Sequence, residues 1–303
     1  MSVLTCMGKI NGIFVNHDGI KKQVLSGWVN QNGVAVPFYK KGGGSGDFQV
    51  IWNASPWGYG GRSASCMLQF FNTKDIKKLV VRGTMTARKY SSSSGAGTFN
   101  LLFYKPSGNS YVSQTIGSVT SPGSSEIDFT VEFSESDRTG TTYPYFIINA
   151  ISSNILSASL TIDIFTDASS IQIQSNGNGR NGTSAYGHNG LVFLNPDKLG
   201  TVKAEGTIQV GGSGTTSSYA YWNYSATKNG AASATTLKTI SATYTSKTST
   251  YVTSSISIPN LNTADWTEYD PAFGLGTNAY GSGNSSGPSW TGNVKYDVSK
   301  KTV

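Results

Sequence analysis

Apolar and polar residues alternate along most of this chain with a period of two, the pattern of strands that bury one face. Leu68 and Phe70 alternate, a turn cluster follows over 72–75, and Leu79, Val81 and Met85 resume the alternation around Gly83. The same pattern returns 123 positions later in Leu191 and Phe193, then in Val202, Ala204 and Ile208 around Gly206. At that offset Leu68, Phe70, Asn72, Gly83 and Thr84 fall on Leu191, Phe193, Asn195, Gly206 and Thr207. A duplicated domain is predicted. Because an interior strand glycine marks a bulge or a close backbone approach, the matched glycines predict one backbone feature built twice.

Looser matches extend the repeat. Phe99, Leu101 and Phe103 correspond to Tyr219, Tyr221 and Tyr224, each set followed by a turn. The alternating Ile127, Phe129, Val131 and Phe133 have a weaker counterpart in Tyr251, Ser254, Ile256 and Ile258. Phe146 and Ile148 correspond to Phe273 and Leu275, and Leu160, Ile162 and Ile164 to Val294, Tyr296 and Val298. Each copy therefore offers about six to eight short strands, which predicts an all-β chain of two tandem jelly-roll-like antiparallel β-sandwiches. No long stretch carries an apolar stripe at helical spacing, so any helix should be a single turn.

Composition narrows the function classes. Only 13% of the 303 residues are charged, against about a quarter in ordinary domains, and Ser, Thr, Gly, Asn and Tyr supply the polar surface. The net charge of +7 is spread out, with no basic run longer than pairs such as Lys77-Lys78, which argues against nucleic acid as a partner. Cys6 and Cys66 are too few for a disulfide framework or a four-thiolate zinc site. Neither a basic-then-apolar leader nor a long apolar run is present, so a membrane partner and export by a standard signal are not expected. A Thr/Ser/Gly-rich, aromatic surface on such a chain suits a particle component made in a host cytoplasm and released by lysis.

Enzymatic signals are sparse. Gly177, Gly179 and Gly182 satisfy a nucleotide-loop spacing, but the residues that follow read as loop rather than as a helix N-terminus. His17 and His188 are the two histidines, each beside a glycine-bearing turn. Paired carboxylates could serve glycoside hydrolysis. Glu126 with Asp128, and Glu132 with Glu135, sit on or beside a strand and read as solvated, which leaves Asp265, Glu268 and Asp270 as the best catalytic candidates. Acids next to a proline are more often turn formers, so no catalytic residue, cofactor or metal is assigned. Aromatic rings in Gly/Ser/Asn-rich surroundings say more, because a flat ring with a polar rim suits the apolar face of a sugar. Trp57, Tyr59, Tyr186, Trp222, Tyr280 and Trp290 are the candidate ligand-binding residues.

Near the start, Phe14, Val15, Asn16 and Gly19 recur as Trp28, Val29, Asn30 and Gly33 after 14 positions, each unit reading as a short hairpin closed by glycine. This V-N-x-x-G repeat resembles hairpins in tail, baseplate and appendage proteins of tailed bacteriophages. The run from Phe70 to Thr84 fits F-x-N-x-x-D-[IK]-K-x-L-x-V-x-G-T, which resembles the opening of carbohydrate-module-like sandwich domains in the same proteins. The second copy departs from it at Pro196-Asp197. The resemblance implies a non-enzymatic virion protein with residues 1–41 as a hairpin anchor to other virion proteins, 42–168 as the first sandwich, 169–190 as a linker and 191–303 as the second. It further implies attachment to a host cell-wall glycan, a homo-oligomer and a location in the virion. A virion-borne glycan depolymerase and a secreted bacterial carbohydrate-binding protein are the alternatives.

Overall fold

The computed structural model describes residues 13–17, 20–24, 26–31, 34–40, 46–58, 64–71, 73–89, 98–107, 110–135, 146–152, 155–180, 185–195, 198–211, 218–228, 235–244, 250–259, 269–279 and 289–302. The chain divides into two compact units, Met1–Ser45 and Gly46–Val303.

The described residues of the first unit form two antiparallel strand pairs. Strands β1 (Ile13–His17) and β2 (Ile20–Val24) pair from Ile13 with Val24 to His17 with Ile20. Strands β3 (Ser26–Gln31) and β4 (Val34–Lys40) pair from Ser26 with Lys40 to Gln31 with Val34, with one register shift after Gly27. The repeated aromatic-Val-Asn triplets therefore begin the same kind of element twice.

Among the described residues the second unit holds sixteen strands in two sets of eight. The first set is β5 (Phe48–Gly58), β6 (Ala64–Phe70), β7 (Ile76–Arg88), β8 (Thr98–Ser107), β9 (Ser110–Thr120), β10 (Gly123–Glu132), β11 (Phe146–Ser152) and β12 (Ile155–Thr166). The second is β13 (Ser170–Arg180), β14 (Ala185–Phe193), β15 (Leu199–Gly211), β16 (Ser218–Lys228), β17 (Thr235–Tyr244), β18 (Thr250–Pro259), β19 (Tyr269–Ala279) and β20 (Ser289–Lys300). One 3-10 turn, Thr73–Asp75, stands where the turn cluster was read. In the first set the hydrogen-bonded orders are β5-β12-β7-β10 and β6-β11-β8-β9; in the second they are β13-β20-β15-β18 and β14-β19-β16-β17. Each set is a jelly roll, and the two have identical connectivity.

The rolls are fused at their edges. Strand β5 pairs with β14 from Val50 with Phe193 to Gly58 with Ala185, and β6 pairs with β13 from Phe70 with Ile173 to Ser65 with Asn178. Each sheet of one roll thus continues into a sheet of the other, giving two layers of eight strands. We call β10-β7-β12-β5-β14-β19-β16-β17 the front layer and β9-β8-β11-β6-β13-β20-β15-β18 the back layer. Fusion leaves no exposed edge at the seam, where two separate sandwiches would each present unpaired strands. One apolar core runs through both rolls, from Phe103 and Ile127 through Trp52 and Leu68 to Trp222 and Val298. The ends of this unit are clasped: the Asp47 carboxylate accepts from the Thr166 N–H at 2.8 Å and from Lys300 at 3.0 Å, while Lys300 also donates to the Thr166 carbonyl at 2.9 Å.

Several expectations change here. Residues 169–190 are not a linker but β13 and most of β14, the first two strands of the second roll. Gly177 and Gly179 lie within β13 rather than in a loop, opposite Gly292 and Trp290. Composition misleads in this segment because Asn and Gly are poor strand formers, yet Ile171, Ile173 and Ser175 keep a buried row of period two, paired with β20 throughout and with β6 from Ile173 onward. The repeat is also offset in one strand. Ile148 pairs with Leu68 and Phe273 with Leu191, so Ile148, not Phe146, is the counterpart of Phe273.

The matched glycines have different causes. Gly83 sits at φ +153°, and a Cβ there would lie 2.0 Å from the Ser159 carbonyl oxygen on β12, so backbone geometry demands glycine. At Gly206 a Cβ would lie 2.9 Å from the Trp222 ring. The second glycine makes room for a side chain across the sandwich.

Candidate functional site

The outer face of the front layer carries a trough of about 450 Å³ over the seam between the rolls. Its floor is built by register. Thr84 on β7 pairs with Ser159 on β12, Ser159 with Asn53 on β5, and Asn53 with Gly190 on β14. One pleat further, Thr86 lies beside Ser157, and Ser55 beside His188. Three neighbouring strands at about 4.8 Å spacing thereby present hydroxyls and the Asn53 amide in two parallel rungs, which β14 continues with Gly190 and His188. Alternation explains the residue types, since Met85, Leu156, Ala158 and Trp52 of the same strands point inward and are buried.

Tyr221 and Asn223 of β16 form the far wall. The Tyr221 hydroxyl and His188 Nδ1 lie 3.3 Å apart, and the two rings are tilted by 41° with centroids 6.3 Å apart. Burial holds the His188 imidazole below its ordinary pKa, because removal from water disfavours the charged form. The ring is therefore neutral at pH 7. Among the described residues no Asp, Glu, Lys or Arg lines the trough, and those that do line it present an uncharged set of donors and acceptors.

The floor is anchored from beneath. On the inner side of the seam the Trp52 indole N–H donates to Asn189 Oδ1, and Asn189 Nδ2 donates to the Asn176 carbonyl at 3.0 Å and to that of Met67 at 3.5 Å on the back layer. One buried amide thus ties both layers together under the trough, with its donors and its acceptor engaged. Cys66 Sγ donates to the His188 carbonyl at 3.1 Å, and burial pushes its thiol up to about 12. That leaves the sulfur a packing atom rather than a nucleophile. On the rim of the floor, Ser159 Oγ donates to Asn53 Oδ1 at 2.7 Å, and Thr86 Oγ1 and Ser124 Oγ are 3.0 Å apart.

The six aromatic candidates scatter. Trp57 and Tyr186 are brought together as cross-strand partners of β5 and β14, two residues beyond the Ser55 and His188 pair. Trp290 belongs to β20 in the back layer, paired with Gly179 and Val210. Tyr59 and Tyr280 lie outside the described residues. Trp222 requires a correction: it is 1% exposed, in the core. The cause is parity, because Trp222 and Tyr224 share the inner face of β16 while Tyr221 and Asn223 share the outer one. Tyr221, His188 and the Ser/Thr/Asn rungs were not among the candidates. The parity of Tyr221 was readable, but the neighbours that make it a wall come from four other strands.

Among the carboxylates, Asp128 pairs with Arg82 at 3.5 Å and Glu132 with Lys78 at 3.3 Å on the exposed face of β10. Asp265 and Glu268 lie outside the described residues, and Asp270 is on β19, paired with Thr227. Among the described residues no cluster of His, Cys, Asp and Glu could hold a metal ion.

No protein-family model and no curated protein matches the chain. Among solved structures, it is similar to the N-terminal CBM22-1–CBM22-2 tandem domain of Paenibacillus barcinonensis Xyn10C, at 8% identity and TM-score 0.26 over 74% of this chain and 78% of that one. It is also similar to a chain of the Sulfolobus turreted icosahedral virus, at 11% identity and TM-score 0.20 over 97% and 91% of the two chains. The MCP of that virus matches at 11% identity and TM-score 0.19, over 81% and 96%. Likeness at these values carries no function from those proteins to this chain.

Proposed function

We propose that this protein is a non-enzymatic structural component of a virion whose fused double jelly roll holds a neutral glycan of the host surface in the seam trough. The observation that carries the ligand class is the trough itself, with hydroxyls and amides in two rungs, one tyrosine wall and, among the described residues, no charged side chain. Vicinal sugar hydroxyls need paired donors and acceptors, and a ring such as Tyr221 suits an apolar sugar face. The virion assignment rests on the repeated N-terminal hairpins, which serve as the anchor to neighbouring particle proteins. Binding at one shallow trough is weak, and display in many copies multiplies it.

The test measures the purified chain against malto-, cello-, xylo- and chito-hexaose by calorimetry, alongside the Tyr221→Ala variant. Removing the wall should weaken binding by about tenfold, the scale of one interface anchor near 1.4 kcal/mol, with an unchanged denaturation midpoint. Equal affinity of the variant would refute the site. Absence of the chain from purified particles by mass spectrometry would refute the virion assignment.

A further inference from the structure

The front trough has a counterpart. On the outer face of the back layer, a second depression of about 410 Å³ crosses β6, β13, β20 and β15. Its position follows from the duplication. Superposing the connectivity of the two rolls sends β5 to β13, β12 to β20, β7 to β15 and β14 to β6. Under that mapping the rung Thr84, Ser159, Asn53 becomes Thr207, Asn293, Asn176, whose members are themselves cross-strand partners. The next rung, Thr86, Ser157 and Ser55, becomes Gln209, Thr291 and Asn178, again in register. At the seam, Gly190 and His188 become Met67 and Ser65, which pair with Asn176 and Asn178.

Any sandwich has polar outer faces, so polarity alone would say nothing. Here a depression of nearly the same size recurs at the equivalent place, and its amides are already oriented. Asn178 Nδ2 donates to Ser65 Oγ at 2.8 Å, Gln174 Nε2 donates to Asn176 Oδ1 at 2.8 Å, and Asn176 Nδ2 donates to Gln69 Oε1 at 3.5 Å. Among the described residues the lining again holds no Asp, Glu, Lys or Arg, and no histidine either. The two troughs differ in one respect that bears on ligand choice. The position of Tyr221 maps to Asn100, since Leu275 pairs with Trp222 where Ala150 pairs with Leu101, so the back trough has amides and Met67 but no aromatic wall.

We infer that the back trough is a second binding site for a neutral polyhydroxylated chain, recognised through amide hydrogen bonds rather than ring stacking, so that one polypeptide grips glycan on opposite faces and bridges two strands of it. The inference rests on the glycan reading of the front trough for its ligand class. Four Asn and Gln side chains supply the bidentate donor–acceptor pairs that adjacent hydroxyls require. Lacking a titratable side chain in its lining, this site binds independently of pH and salt across the neutral range.

The experiment counts sites on the full chain by calorimetry with the same four hexaoses. Equivalent outward positions are then filled by a large side chain, Ser157→Trp in front and Thr291→Trp behind, with circular dichroism and melting midpoints to verify folding. Two ligands per chain, one after either substitution and none after both, is the expected result. Light scattering with the matching soluble polysaccharide should rise with wild type and fall at least tenfold with either variant, because bridging needs both faces. A single site abolished by Ser157→Trp and untouched by Thr291→Trp overturns the second site while leaving the front one standing. A single site abolished only by Thr291→Trp supports the back trough and overturns the front one. Failure to bind any of the four hexaoses overturns both.

Discussion

At the seam, Trp52 of the first roll and Ser175 of the second occupy equivalent inner positions, as do Cys66 and Asn189, and all four are buried. Away from it, Leu101 and Phe103 of the first roll stand where the second has Trp222 and Tyr224. Apart from Trp52, the buried rings of the first core among the described residues are all phenylalanines. The second adds buried rings with polar handles, Trp222, Tyr224 and Tyr296, to its aliphatic residues, and burial raises the pKa of Tyr296. Where two copies of one fold join, tryptophan at both of these equivalent positions would overfill the seam and serine at both would leave it underpacked. Divergence there completes the packing, and Asn189 uses the asymmetry to hydrogen-bond to Trp52 and to the back layer at once.

The largest loss of stability should follow removal of the ring that distinguishes the second core. Trp222→Ala should cost about 3–5 kcal/mol, measured by chemical denaturation, because nothing nearby can refill the space above Gly206. A loss under about 1 kcal/mol, below the usual range for a buried aromatic, would mean that the second roll does not rest on it. Next in size are the glycines. Gly83→Ala should destabilise by about 2–4 kcal/mol through strain at positive φ and collision with a backbone oxygen, and no change of core side chain should rescue it. Gly206→Ala should cost about 1–3 kcal/mol in the wild-type chain and much less when introduced into a Trp222→Leu background, a coupling read by a double-mutant cycle, since the obstacle is a ring. Equal rescue of both would erase the distinction between the two positions.

The smallest effect is protonic. Because the folded pKa of His188 lies below the ordinary 6.5, the unfolded chain takes up a proton first as pH falls. The contribution of this group to stability is therefore complete above about pH 6.5 and is lost on acidification toward the folded pKa. Denaturation midpoints at pH 5.0 and 7.5 should differ by less in His188→Gln than in wild type, and an unchanged difference would place the acid sensitivity elsewhere.

Much of the architecture was legible because its signal is local. The matched runs Leu68 to Thr84 and Leu191 to Thr207 fell on equivalent strands, and Leu160 pairs with Gly83 as Val294 pairs with Gly206. The candidate site was legible only in fragments. Trp222 was misplaced because Tyr219, Tyr221 and Tyr224 were read as one row, although Tyr224 differs in parity from the other two. Residues 169–190 were misread because their Asn and Gly content outweighed a short alternation at Ile171 and Ile173.

By itself the sequence determined the all-β class, the duplication, and which residues of most strands face inward, since period-two alternation and turn chemistry act over a few residues. Tertiary structure alone decided that β5 joins β14 and β6 joins β13. Those pairings link residues more than a hundred positions apart, and they depend on which strand edges fit together rather than on any pattern within one strand. The troughs exist only because of that choice, since each of their rungs is assembled from strands of both rolls.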